Sequence, residues 1–206
     1  MPTEARTVSD VVSVYGTSAR SRLLPRFSAA GVAYPPQSLA LLVVKNKAQL
    51  EVWVKQATGS VFIHCYPVEA LSGGPGPKLR EGDRQVPEGI YQISGLNPNS
   101  RFHLSIKLNY PNAFDLRHAK LDGRTRPGSD IFIHSRASSV GCLAMGDTTI
   151  EELFVLACDV GMQNISVTIA PHDPRIEPLL PLQDLPWTAE LYENIERNFS
   201  DFSGPV

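Results

Sequence analysis

The 206-residue chain has only three cysteines, Cys65, Cys142 and Cys158. An odd count at wide spacing is no disulfide framework. No C-x-x-C pair or histidine-rich cluster supports a zinc site, and no other cofactor is expected. Long apolar runs are missing too. The longest, Leu39 to Val44, is far too short to span a bilayer. Charge of neither sign dominates: 19 Lys and Arg face 21 Asp and Glu, for a formal net charge of −2. That balance argues against nucleic acid or an anionic membrane surface as the main partner. The first sixteen residues lack a basic start followed by an apolar block, so they are not a secretory signal as they stand. Three possibilities remain open: a cytosolic protein, export by another route, or export by a leader since removed. No internal repeat is present.

What the chain does contain is 17 prolines, 15 glycines and 42% apolar residues. Together they point to a loop-rich, β-containing fold with a real core. Residues 1–16 read as a loose arm. Arg20 to Ala30 reads as a helix, with Leu23, Leu24 and Phe27 at helical spacing and Gly31 ending it. Pro25 would then belong to its first turn. Leu39–Val44 is a buried strand. Leu50, Val52 and Val54 alternate with polar neighbours, and Val61–Tyr66 is the hairpin partner, with Val61, Ile63 and Cys65 on one face.

Leu71 to Glu88 and Pro111 to Asp130 read as long basic loops, suited to cap a cleft. Between them, Ile90–Ser94 is a short strand. Phe102 to Tyr110 shows the cleanest period-two pattern in the chain. Thr148-Thr149-Ile150-Glu151 has the form of a capping box opening a helix to about Val160. Ile165 to Ile169 is another strand, and Trp187, Leu191, Ile195 and Phe199 line a C-terminal helix. No composition shift marks a domain boundary, so one α+β domain with a β core is expected.

The chemistry gathers in Ile131 to Asp147, IFIHSRASSVGCLAMGD. A short apolar strand delivers His134, and Cys142 follows eight residues later, after Gly141. A free thiol of pKa ~8.5 is mostly protonated at neutral pH, and a nearby histidine can take its proton. Gly141 allows a sharp turn, and the amides around Cys142 (Gly141 and Leu143) are candidates for an oxyanion hole. Ser139 is placed to orient the turn or the substrate. Cys65 and Cys158 sit on apolar faces and read as core. Two core residues eight apart would give the same spacing, so spacing alone leaves catalysis open.

The run His134-Ser135-Arg136-Ala137-Ser138-Ser139-Val140-Gly141-Cys142 resembles the signature of YkuD-type L,D-transpeptidase catalytic domains. Its short spacing and the trailing Leu143-Ala144-Met145 are most similar to the branch called murein L,D-transpeptidase, or YafK-like. Glu81-Gly82-Asp83-Arg84-Gln85-Val86-Pro87-Glu88-Gly89-Ile90-Tyr91 resembles the family's G-D-x-x-T-P-x-G-x-Y segment. Leu96 to Leu104 and Leu108 to Asp115 resemble the branch's strand and loop before the active site. The likeness covers roughly 39–169 of a single domain placed at 17–206.

This resemblance implies a β-rich domain of mixed sheets with flanking N- and C-terminal helices. It implies Cys142 as acylated nucleophile and His134 as general base, with the third partner often a backbone carbonyl. The implied substrates are peptide stems of peptidoglycan, or a lipoprotein linked to it, attacked at D-configured or diaminopimelate centres. The acyl group would pass to an amine or to water. The chain departs from the family at Ser135, Arg136 and Val86. Ala144 replaces an arginine common elsewhere in the family, so a substrate carboxylate needs another cation. Arg136 and Arg101 are candidates for it, with Ser135 and Tyr110 as further substrate contacts. Two other readings stay open: a non-catalytic wall-binding module, and an exported effector acting on a protein target. Oligomeric state is not legible.

Overall fold

A computed structural model describes residues 5–101, 103–136 and 141–203. Helix α1 spans Val8–Ala29. The strands that follow are β1 (Leu39–Val44), β2 (Gln49–Gln56), β3 (Gly59–Pro67), β4 (Ala70–Leu71), β5 (Gly89–Ser100) and β6 (His103–Leu108). Then come α2 (Ala113–Leu121), β7 (Phe132–His134), β8 (Leu143–Ala144), α3 (Asp147–Val160), β9 (Ile165–Ala170) and α4 (Thr188–Phe199). The nine strands form one mixed sheet in the order β3-β2-β1-β9-β5-β6-β7-β8-β4. The β1/β9 and β7/β8 pairs are parallel, and the others are antiparallel. The fold is α+β, as the sequence implies.

Strand β5 joins two halves of the sheet. Its first residues, Gly89 to Gln92, pair with β9, and its later ones pair with β6. Both faces are covered. On one, Leu39, Leu41, Val43, Leu50, Val52, Ile106 and Ile133 pack with Leu23 and Phe27 of α1 and with Leu153 and Phe154 of α3. On the other, Ala40, Leu42, Val44 and Trp53 pack with Leu191, Ile195 and Phe199 of α4. This is why β1 reads as an unbroken apolar run: alternation is lost when both faces are dry.

Four features differ from the sequence reading, each for a local reason. The loose arm ends by residue 7, because Thr7 and Asp10 cap α1 reciprocally: the Asp10 amide donates to Thr7 Oγ1 (3.1 Å) and the Thr7 amide to Asp10 Oδ2 (2.7 Å). Pro25 therefore lies deep inside the helix rather than in its first turn. A second reciprocal cap, Asn112 with Asp115, starts α2 inside what reads as a loop. The Thr148–Glu151 pattern is no cap. Helix α3 begins at Asp147, with Gly146 at its N-cap and no side-chain bond there. Finally, a bulge at Ile63 pairs Val52 with His64 but Trp53 with Phe62. Val61 and Ile63 keep to the first core, whereas Cys65 joins Phe62 and Phe202 beside a cavity on the other face.

Charge adds to the apolar packing of α1 on α3. Glu152, 1% exposed, accepts bonds from Arg22, Arg26 and the Tyr66 hydroxyl. Asp159 accepts Arg20 Nη2 (2.6 Å) and the Tyr34 hydroxyl (2.7 Å). The arginines are a quarter to a third exposed, so their bonds to these carboxylates are partly screened by solvent. No helix among the described residues is long and apolar enough to cross a membrane.

Candidate active site

Strand β7 ends in His134 and runs parallel to β8, with Ile133 opposite Leu143 and His134 opposite Ala144. Extending that ladder by one residue sets Cys142 beside Phe132, and the Phe132 backbone is indeed a hydrogen-bond partner of the thiol. Cys142 itself is a bend residue just ahead of β8, and alternation carried back along that strand would set it on the face of Ala144 and His134. With strands about 4.8 Å apart and about 6.6 Å between alternate residues, their Cα atoms are diagonal neighbours about 8 Å apart. The parallel pair thus brings together the two residues that the sequence separates by eight.

The histidine is fixed by its neighbour's backbone. Nδ1 lies 2.5 Å from the Ser135 carbonyl oxygen. A carbonyl can only accept, so Nδ1 carries the proton and Nε2 of the neutral ring is the basic nitrogen. Ser135 is fully buried, and its own amide donates to Leu104 O (3.4 Å). Its carbonyl orients His134, and its side chain, proposed from the sequence as a substrate contact, is buried. The Met145 amide donates to His134 O (2.8 Å), closing the strand end.

The Cys142 thiol is half-buried and lies 3.8 Å from the Asp130 carbonyl oxygen. Burial pushes its pKa up. The Phe132 backbone and the Lys78 ammonium act the other way, and the Asp130 carboxylate adds to the rise. At neutral pH the thiol holds its proton, so reaction calls for a base.

The turn before Cys142 rests on a segment that reads from sequence as an irregular loop. Gly141 has φ +96°, and a Cβ there would stand 3.4 Å from the Gln85 carbonyl oxygen. The Gly141 amide donates to Ser72 Oγ (2.6 Å), and that hydroxyl donates to Arg84 O (2.7 Å). Gly141 therefore serves the turn, its N–H committed elsewhere than to an oxyanion. Leu143 is buried in β8 between Leu71 and Ile133. Ser139 lies outside the described residues.

The supporting segment is itself rigidly tied. The Asp83 carboxylate accepts the amides of Leu79 (2.9 Å), Arg80 (3.0 Å) and Gln85 (3.0 Å) and the Lys78 ammonium (2.5 Å). These bonds outweigh burial and hold its carboxyl below the usual range. The Lys45 ammonium donates to Glu88 Oε1 (2.9 Å), Gly76 O and Val86 O (both 3.1 Å), and Tyr192 donates to Glu88 Oε2 (2.9 Å). The segment also walls an open groove of about 540 Å³, lined by Gly76, Arg80, Gln85, Arg124 and Leu182 among others. Ser72, Lys78 and Asp83 were not singled out as site residues. Only Asp83 carries a signal, as the acid of the G-D pair.

The other expected contacts are scattered. Tyr110 is buried, and its hydroxyl donates to Pro127 O (2.8 Å), so it fastens a loop beneath the site. Arg101 is exposed at the tip of the β5–β6 hairpin. Arg136 is exposed two residues after His134, with φ +68°.

A family model for the L,D-transpeptidase catalytic domain, YkuD, matches residues 35–163. YafK of Escherichia coli K12, an L,D-transpeptidase by name, is 33% identical over 134 residues, 63% of this chain and 52% of that protein. The chain thus spans about half the length of the curated relatives it matches. Among solved structures, the helical cell shape determining protein Pgp2 from Campylobacter jejuni superposes with a TM-score of 0.53 at 24% identity, over 68% of this chain and 50% of that one. A variant of the same protein gives 0.54 at 22%, over 68% and 49%. That likeness shows a shared fold. With the family match covering more than half of its length, the chain belongs to the YkuD L,D-transpeptidase family.

Proposed function

We propose that the protein is a cysteine acyltransferase acting at D-configured or diaminopimelate centres of peptidoglycan stem peptides. The observation that carries this reading is His134, its Nδ1 fixed on the Ser135 carbonyl, in the strand paired with β8, which begins directly after Cys142. Nε2 takes the thiol proton, and the thiolate attacks the peptide carbonyl carbon. The C–N bond breaks, and the departing amine leaves with the proton from the imidazolium. A thioester on Cys142 remains. An incoming amine regenerates an amide, which is transpeptidation. Water instead gives a carboxylic acid, which is hydrolysis, and the same step on a peptide-linked lipoprotein would release it. Both outcomes return the proton to the thiol, and neither needs a cofactor. A reaction on this substrate would belong in the bacterial cell envelope.

Mass spectrometry tests the reading. Incubation with purified muropeptides should add one acyl mass to the peptide that contains Cys142. The muropeptide products then separate cross-linking from hydrolysis. Products formed without any adduct at Cys142, in a chain whose Cys142→Ala variant is equally active, would reject it.

A further inference from the structure

Five non-glycine residues among those described have positive φ: Ala48, Arg84, His103, Asp130 and Arg136. Four of them surround the catalytic turn. The Asp130 carbonyl lies beside the Cys142 thiol. The Arg84 carbonyl is tied through Ser72 to the Gly141 amide. Arg136 directly follows Ser135, whose carbonyl holds His134. His103 precedes Leu104, whose carbonyl accepts the Ser135 amide. Strained backbone that gathers at one place is held there by its surroundings, and such places are commonly functional.

Two of the four are arginines, one beside the Gly141 turn and one directly after Ser135. The Arg84 backbone abuts Gly141, its carbonyl carbon 3.9 Å from where a Gly141 Cβ would lie. Arg136 follows the general base. Both are exposed, and neither guanidinium has a hydrogen-bond or ion-pair partner among the described residues. Arg20 is committed to Asp159, Arg117 to Glu190 and Arg175 to Asp173 and Glu51, while Arg80 and Arg126, also exposed and without a side-chain partner among the described residues, lack the positive φ that marks Arg84 and Arg136. Nothing in the cores calls for a charge at Arg84 or Arg136. A guanidinium offers a planar fork of donors that matches a carboxylate, and a segment already rigid binds one at little ordering cost.

We propose that Arg84 and Arg136 form a clamp for a free carboxylate on the acyl-donor peptide, that of the D-amino acid which leaves. The clamp rests on the acyltransfer reading and gives it a substrate preference. It assigns to Arg84 a role that its motif position alone does not suggest, and pairs it with Arg136 in place of Arg101.

The test uses the full chain and two diaminopimelate-containing tetrapeptides, one ending in a carboxylate and one in a carboxamide. Asparagine tolerates the left-handed backbone, so Arg84→Asn and Arg136→Asn remove charge without new strain. Wild type should prefer the carboxylate. Each variant should lose about tenfold of that preference, mostly in KM, and the double variant should accept both peptides alike. Arg84→Lys should recover part of the loss. Turnover of the carboxamide and the thermal midpoint should stay near wild type. An unchanged preference in the double variant, or an equal fall on both peptides, overturns the clamp and leaves the acyltransfer reading standing. A wild type acylated by neither peptide overturns both.

Discussion

The three cysteines report on three regions of one molecule. Cys158 lies on α3, where burial and then the neighbouring Asp159 push its thiol up to about 11, against Arg20. Cys65 lies on β3, where burial and then Glu51 raise its pKa, against Lys47 and Arg175. Cys142 is raised by burial as well, but the next influences on it are the Phe132 backbone and the Lys78 ammonium, both opposing the rise. Burial is thus the default that keeps a thiol inert. Beside Cys65 and Cys158 the next strongest influence, a carboxylate, reinforces it. At Cys142 the next strongest influences offset it, and a histidine of fixed tautomer stands on the neighbouring strand β7. On the proposed reading, reactivity belongs to the β7–β8 end of the sheet, where the strands are short and loops supply the surroundings, whereas β3, the strand at the opposite edge, holds Cys65.

The sharpest way to break this contrast is to remove the thiols one at a time. Cys142→Ala should lower turnover by about 10³-fold or more, as loss of a nucleophile does. Cys65→Ala and Cys158→Ala should stay within about twofold of wild type. Turnover of muropeptides and the adduct mass check all three, and equal losses would erase the distinction. His134→Gln should come next, with a fall of about 10²–10⁴ in kcat/KM, the range for a general base. A variant that kept its rate would leave the fixed imbalance between Nδ1 and Nε2 without a catalytic purpose.

Ser72→Ala probes the support rather than the chemistry. It strips the Gly141 amide of its acceptor and the Arg84 carbonyl of its donor. The cost should be about 1–3 kcal/mol in stability, read by denaturant unfolding. Turnover should fall less than for His134→Gln. Unchanged stability would show that the segment before β5 holds the turn by packing alone.

How legible these regions were follows from what each uses. Strands β1, β2, β6 and β9 were readable because their burial is periodic or complete. Cys142 and His134 were readable because the motif is local. Helix α1 was half missed: it buries a sparse face of Val11, Gly16, Ala19, Leu23 and Phe27, and its arginines reach carboxylates 126 to 139 residues away. Helix α2 was missed because only His118 and Ala119 are buried in it. Both helices open on a cap whose third residue is Asp, a signal the usual Glu pattern does not catch. The bulge at Ile63 and the Ser72 link have no periodic trace. They depend on pairings between distant segments, as does the ammonium of Lys78 near the thiol.

Lys78 gives the finest test of the contrast. Its ammonium donates to Asp83 (2.5 Å) and to Arg80 O (3.1 Å), which pins it in place. Its charge acts to lower the Cys142 pKa. Replacing it by methionine keeps the apolar stem and removes the charge. Asp83 keeps three amide donors, so the segment has reason to stay folded. The thiolate, not the thiol, reacts with iodoacetamide. Without Lys78 the thiol pKa rises, so less thiolate exists at any given pH below it. The rising limb of labelling at Cys142 should therefore move to higher pH, with a few-fold slower rate at neutral pH, while Lys78→Arg restores the wild-type profile. The size should be modest, because Asp83 already neutralises part of the charge. Labelling of Cys65 and Cys158 in the same samples should not move. A shift shared by all three thiols would mean that Lys78 acts on the whole fold, and that the β7–β8 end of the sheet has no electrostatics of its own.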